Sequence, residues 1–265
     1  MNVVVCLKQT PSTTAVFKVN NGVVSWDDPG GKPQVLNPWD EYSVEEAIRV
    51  TEKHGAKEAI ALTMGEETAV ESLRTALAMG CTQAVLVSDP AFAGSDTLGT
   101  ARVLAAAIQK QPEVQLVLFG KQAIDGDTGQ VPVQVARKLG WTPLTFVAEI
   151  KEISADSITV TRLLDNGKQT VTAPLPVVIS VVKEINEPRY PSFMGIRKAN
   201  KAVIPTLTAA DLGVNGGTGA AASKVDWSQV TTLPAREGNV FMIQADTAEE
   251  QARLLADKLF EEKVI

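Results

Sequence analysis

The sequence predicts an α/β fold built on a parallel sheet with helices on both faces. Three observations carry that prediction. Strand and helix patterns alternate over residues 1–140, several strand-like runs are apolar throughout, and a glycine-rich loop joins one such run to a helix at 120–131. A strand that is apolar on both sides needs cover on both faces, which crossover helices supply.

Taken in order, Asn2 to Leu7 is a valine-rich run suited to a central strand buried on both faces. Val16 to Val19 and Val23 to Trp26, joined around Asn20-Asn21-Gly22, read as a small hairpin. Ser43 with Glu46 three residues on reads as a capping box, opening a helix that buries Val44, Ala47, Ile48 and Val50 and stops near Gly55. Glu58 to Leu62 is a strand, and Glu67 to Met79 a helix with Ala69, Leu73, Ala76 and Leu77 on one face and Gly80 as its stop. Ala84 to Val87 and Thr97 to Gln109 form the next strand and helix; Val114 to Phe119, the loop, and a helix to Leu139 form the last. Repeated units of this kind place ligands at the carboxyl ends of the strands.

The pattern changes after Trp141. Thr145 to Ile153, Ile158 to Leu164 and Gln169 to Thr172 read as strands, the last two joined by Asp165-Asn166-Gly167, and Val177 to Val182 is a further apolar strand. From Asn186 clear periodicity is lost. Asn215 to Ala222 has the composition of a flexible linker. Thr247 and Glu250 form a second capping box for a terminal helix carrying Leu254, Leu255 and Leu259, whose apolar face needs a dock in this chain or in a partner.

Composition narrows the function. The 265 residues allow one large domain or two small ones, and 45% apolar with 21% charged residues fits an ordinary globular protein. The net charge of −6 argues against nucleic acid, which demands a basic face. No apolar run approaches the roughly 18 residues of a membrane span, and the N-terminus reads as the first strand and not as a signal peptide. Cys6 and Cys81 are too few for a disulfide framework, and cytoplasm is the expected compartment. His54, the only histidine, stands near a helix end, so multi-histidine metal sites and histidine-based triads are disfavoured. Any redox or group-transfer chemistry therefore falls to a bound cofactor.

The loop Gly120-Lys121-Gln122-Ala123-Ile124-Asp125-Gly126-Asp127-Thr128-Gly129-Gln130-Val131 lies between a strand's carboxyl end and a helix start, where free amides favour phosphate. Its glycines allow close approach of a ligand, Asp125 and Asp127 suit ribose or ribityl hydroxyls, and Thr128 and Gln130 suit phosphate oxygens or a helix cap. A glycine-rich turn with an Asp or Thr cap would look the same. Neither GxGxxG nor GxxxxGK[ST] is present. Lys8 at the first strand's end and Thr63-Met64-Gly65 at another could reach the same edge, with Lys8 as phosphate counter-charge; Asn37-Pro38-Trp39-Asp40 reads as a rigid turn.

These residues together resemble the β subunit of electron transfer flavoproteins. The likeness runs through Val4-Val5-Cys6-Leu7-Lys8-Gln9, Asn37-Pro38, Arg74-Thr75-Ala76-Leu77-Ala78-Met79-Gly80, the loop, and Asn186-Glu187-Pro188-Arg189-Tyr190 to Lys198. It covers roughly residues 1–214, the tail matching only in layout. Arg162, Asp165, Gly167, Gln169, Val171 and Pro176 also stand where the family signature has them, and Asn166 departs from the family's usual Gly, Asp or Glu. The resemblance implies a Rossmann-like domain of the adenine nucleotide α-hydrolase kind at 1–185, including a β-rich extension. It also implies a recognition loop and C-terminal arm at 186–265, embracing an α subunit that carries an FAD at the interface.

In the family the β-subunit nucleotide is contacted at the positions of Cys6 and Lys8, of Asn37, Pro38, Trp39 and Asp40, of Met64, and of the loop from Gly120 to Val131. Respiratory-type members hold AMP and typically read Asp-Asp-Asp-x-Asn-Gln-Thr-Gly. Bifurcating and nitrogen-fixation-type members hold a second FAD and read Asp-Gly-Asp-Thr-x-Gln-Val, the form present here at Asp125 to Val131. Lys121 stands where FAD-type members often carry Arg and AMP-type members Lys. The resemblance thus implies an electron carrier with FAD in the β site, drawing on NADH and bifurcating its electrons, with no catalytic side chain required. Arg189, Tyr190, Phe193, Met194, Ile196 and Arg197 fall in the segment by which the family docks acyl-CoA dehydrogenases. A respiratory-type subunit with structural AMP is the alternative within the family. A non-redox nucleotide-binding module of the universal-stress type is the alternative outside it, and leaves the stretches at 145–182 and after 186 without a purpose.

Overall fold

The computed structural model describes residues 1–265 except 21–22, 29–30, 227–228, 233, 235–237 and 239, and the side chain of Val23. It falls into two compact units, Met1–Val230 and Thr231–Ile265.

The first unit is organised by a nine-stranded sheet. The strands are β1 (Asn2–Cys6), β6 (Ala59–Met64), β7 (Gln83–Val87), β8 (Val114–Gly120), β9 (Thr142–Ile153), β10 (Ser157–Leu164), β11 (Gly167–Pro174), β12 (Val177–Val181) and β13 (Thr206–Leu207), in the order β11-β10-β9-β12-β8-β1-β6-β7-β13. All neighbours pair in parallel except β9-β10 and β10-β11, which form an antiparallel extension at one edge. The hairpin turn there is tight, with Leu164 opposite Gly167. Small pairs β2 (Gln9–Pro11) with β5 (Gln34–Leu36), and β3 (Val16–Asn20) with β4 (Val23–Asp27), lie outside the main sheet. The Asn21-Gly22 part of the predicted hairpin turn lies outside the described residues.

Helices cover both faces. Val3 and Val5 of β1 pack with the buried faces of α1 (Pro38–His54) and α2 (Val70–Met79), while Val4 and Cys6 pack with α3 (Thr97–Gln109) and α4 (Val131–Leu139). Burial on alternate sides of a single strand is why β1 is apolar from Val3 to Cys6. The chain runs outward through β6 and β7, then returns to the opposite side of β1 as β8. The order therefore reverses between β1 and β8, and the crevice at that switch point is the expected ligand site of such a sheet.

Several local expectations are corrected. α1 begins at Pro38, not at Ser43: Asn37 is the N-cap and proline occupies the first turn, where its fixed φ and missing N–H are tolerated. Ser43 lies within the helix and its hydroxyl donates to the Asp40 carbonyl at 2.9 Å, so the capping box is not formed, and Asn37 to Asp40 is a helix start and not a free turn. The expected aperiodic stretch after Asn186 contains α5 (Phe193–Lys201), capped by the Ser192 hydroxyl accepting from the Gly195 amide, and the short α6 (Ala209–Leu212) with a complete Thr208–Asp211 capping box. The inward contacts of α5 are made by Gly195, a side chain on which would strike the Ala78 carbonyl, and by buried Ala199; small residues give no apolar stripe. Nor is 215–222 a free linker. Arg102 donates to the Gly217 carbonyl, the Gly219 amide to the Ser95 hydroxyl at 2.7 Å, and the Ala220 amide to the Ala93 carbonyl at 2.9 Å.

In the second unit α7 (Ala248–Glu261) follows Thr247, whose hydroxyl accepts from the Glu250 amide at 3.2 Å. None of its residues is buried: Leu255 is 49% exposed, and Leu254 and Leu259 are only partly covered. No described helix is long and apolar enough to cross a membrane.

Candidate functional site

At the carboxyl ends of β1, β6, β7 and β8 lies a cleft of about 790 Å³. Cys6 and Lys8 enter it from the end of β1, Asn37 and Asp40 from the start of α1, and Met64 from the end of β6. Gly120 and the loop residues Gln122, Ala123, Asp125, Gly126, Asp127, Thr128, Gly129, Gln130 and Val131 form a second wall. Segments far apart in sequence therefore meet at one edge because parallel strands all end on the same side. The opposite wall, from the end of β7 into α3, was not anticipated: Ser88, Asp89, Pro90, Phe92, Ala93, Gly94, Ser95, Thr100 and Leu104 line it, with Glu66 and Glu67 at the β6 end. The signal was present, because Ser88-Asp89-Pro90 follows a predicted strand just as Thr63-Met64-Gly65 does.

Asn37, the N-cap of α1, and Asp40 in its first turn hold the wall in place. The Asn37 amide donates to the Gln122 carbonyl at 2.9 Å and accepts from the Ile124 amide at 3.2 Å. Its polar side chain thus ties the start of the helix to the loop. Buried Asp40 accepts from the Lys8 amide at 2.8 Å and from the Gly120 amide at 3.2 Å, bridging the ends of β1 and β8 at the switch point. Burial raises its pKa to about 7, and the hydrogen bonds from those amides oppose the shift.

The loop then turns over the cleft. Lys8 Nζ meets Asp125 at 2.7 Å across the opening. Asp127 sits at φ 49°, a left-handed conformation that Asp tolerates better than most residues, and its carboxylate accepts from Gln122 Nε2 at 2.7 Å. A Cβ at Gly126 would meet nothing within 4 Å, so nothing in the chain itself excludes a side chain there. α4 starts beside it without a side-chain cap and without an acidic residue in its first turn. Its first amides and dipole are thus available to an anion in the cleft. Among these polar groups the cleft also presents Met64, Phe92, Leu104 and Phe119, apolar side chains suited to a planar ring.

Pro38, Trp39, Lys121 and Ile124 lie outside the cleft lining. Lys121 Nζ stands 5.3 Å from the Trp39 ring centroid and 5.7 Å from that of Phe146.

Cys6 and Cys81 are buried, and burial raises both thiol pKa values, that of Cys81 to about 12, so neither is a nucleophile near neutral pH. Among the described residues no group of three or more His, Cys, Asp or Glu is arranged to hold a metal. His54 lies in the last turn of α1, beside Lys53.

Away from the cleft, Arg189 pairs with buried Glu45 at 2.8 Å and with Glu52 at 2.7 Å, both on α1. Asn186 donates to the Tyr42 carbonyl and to Glu46, each at 3.0 Å. These bonds fasten the segment before α5 to its own unit. Tyr190, Phe193, Met194 and Ile196 are exposed, Tyr190 by 95%, and Arg197 is exposed among them. Together they leave apolar side chains in water beside a cation.

The chain is similar to known proteins over most of its length. The electron transfer flavoprotein domain model matches residues 29–212. Over 267 residues the chain is 38% identical to the caffeyl-CoA reductase-Etf complex subunit CarD of Acetobacterium woodii, covering 100% of both chains. It is 42% identical over 218 residues to the electron transfer flavoprotein subunit beta of Thermoanaerobacterium thermosaccharolyticum, covering 81% of each chain. It is also 38% identical over 222 residues to protein FixA of Azorhizobium caulinodans, covering 81% of this chain and 77% of the relative.

Proposed function

The chain belongs to the family of electron transfer flavoprotein β subunits, and on that premise we propose that it is the β half of a heterodimeric electron carrier whose cleft holds FAD. The observation that carries the choice of FAD is Gly126: it stands where AMP-holding members have a second Asp, and the space over it is open. An Asp there would put charge and bulk into the room that a pyrophosphate and flavin need beyond the AMP portion.

The residues fit such a ligand. The uncapped start of α4, at Gln130 and Val131, would take a phosphate, with Lys8 as counter-charge once released from Asp125. Asp125 and Asp127 would accept from ribose or ribityl hydroxyls, and Met64, Phe92, Leu104 and Phe119 would shield a ring from water. When bound, the flavin would supply reversible one- and two-electron transfer. Asn37 and Asp40 would act on it only by fixing the loop.

In this reading the exposed face of α7 docks on an α subunit, which carries a further FAD at the interface. NADH is the electron donor of the bifurcating form, and the pair works as a carrier within an NADH-dependent oxidoreductase complex. CarD, by its name a subunit of a caffeyl-CoA reductase-Etf complex, supports assembly with an acyl-CoA dehydrogenase or similar flavoenzyme through Tyr190, Phe193, Met194, Ile196 and Arg197. The proposed compartment is the cytoplasm, in keeping with two buried free cysteines. A second reading, a respiratory-type subunit with AMP in the cleft, is favoured by Lys121, the residue type of AMP-holding members. Gly126→Asp separates the two. If FAD extends over residue 126, the variant should exchange FAD for AMP in the purified heterodimer, whereas unchanged nucleotide content would remove Gly126 as the determinant.

A further inference from the structure

We infer that Lys121 is a positioning residue for the nucleotide loop, gripped from outside the cleft by Trp39 and Phe146. This rests on the reading of the cleft as a nucleotide site. Lys121 is the first residue beyond Gly120, so the direction of its backbone sets the path of everything from Gln122 to Val131. Its side chain leaves the cleft and places Nζ near two aromatic rings, at 5.3 Å and 5.7 Å, within the range of cation–ring attraction. Trp39 belongs to the first turn of α1, between Asn37 and Asp40, which hold the same loop from the inner side. The loop root is therefore held on two sides by one helix start.

Phe146 supplies the second ring through an unusual backbone. Leu144 and Val147 both face the core although they are three residues apart, because the β9-β12 register shifts between Ile179 and Val181. The extra residue is Phe146, at φ 57°, a conformation rare for an aromatic side chain. Its amide donates to the hydroxyl of buried Ser180 at 3.3 Å, which helps hold that conformation. The bulge turns the ring outward, 41% exposed, where it meets Lys121 and contributes nothing to the core clusters. A left-handed aromatic residue that carries its ring out of the core and onto Lys121 is accounted for by that contact.

The test is isothermal titration of the full chain with FAD and with AMP. Lys121→Met keeps the length and loses the charge; Phe146→Leu keeps an apolar group and loses the ring. Each should weaken binding of the preferred nucleotide about 3- to 10-fold, the size expected for exposed cation–ring contacts. Lys121→Arg and Phe146→Tyr should restore wild-type affinity. The double variant should be no weaker than the single ones, because both remove the same contact. Wild-type affinity in Lys121→Met, equal loss in Lys121→Arg and Lys121→Met, or additive losses in the double variant would each overturn the inference while leaving the cleft reading intact. Failure of the wild-type chain to bind either nucleotide would overturn the cleft reading and the inference with it.

Discussion

The amide of Gly120 donates to the carboxylate of Asp40 at 3.2 Å, and the approach is so close that no side chain fits at residue 120. A methyl group there would collide with Asp40 Oδ1 and stand 2.6 Å from the Trp39 carbonyl. The last residue of β8 and the first turn of α1 are thus in backbone contact at the switch point of the sheet.

Gly120→Ala should therefore cost about 1–3 kcal/mol of stability, as overpacking does in a tight core. It should also weaken nucleotide binding, because the loop starts one residue later. Urea unfolding together with nucleotide titration reads both effects. Wild-type values in both would mean that α1 and β8 can move apart freely.

Asp40 predicts a pH dependence. Its pKa is raised from the ordinary 3.8 to about 7 by burial. Between those values the folded chain keeps a proton that the unfolded chain releases, so the stability this group contributes is complete below 3.8 and lost as pH rises to about 7. The stability of the wild type relative to Asp40→Asn should fall across that window and level off above it. Urea midpoints of both proteins over a pH series check the sign, and a difference that stays flat from pH 4 to 8 would contradict it.

Much of this was legible in the sequence, for reasons that differ by element. Central strands such as Asn2–Cys6 announce themselves because burial on both faces leaves an unbroken apolar run, here Val3 to Cys6. The loop at 120–131 was legible from glycines between a strand and a helix. The start of α1 was not, because Ser43 and Glu46 have capping-box spacing inside a helix that proline had already opened at residue 38. α5 was missed because it packs through Gly195 and Ala199, which carry too little apolar surface to leave a period. In the site, the family resemblance pointed to Asn37, Asp40 and Lys121 but not to what they touch. Asn37 and Asp40 bond to backbone, and Lys121 faces away from the cleft, relationships fixed only by tertiary packing.

The arm offers a test of assembly. Leu254 and Leu259 are only partly covered and Leu255 is exposed, and full burial of each would contribute about 1.5–3 kcal/mol to an interface. Deleting 231–265 leaves the first compact unit whole, so the truncated chain should stay folded but no longer sediment with its α subunit. Co-sedimentation of the truncated pair would mean that the helix is not the main tie.

Nucleotide content shows whether the cleft holds FAD. The heterodimer, purified after co-expression with its α subunit and extracted with acid, should release about two FAD per pair and no AMP. Release of one FAD and one AMP per pair would contradict the account, because the open space over Gly126 would then lack the flavin it is proposed to admit.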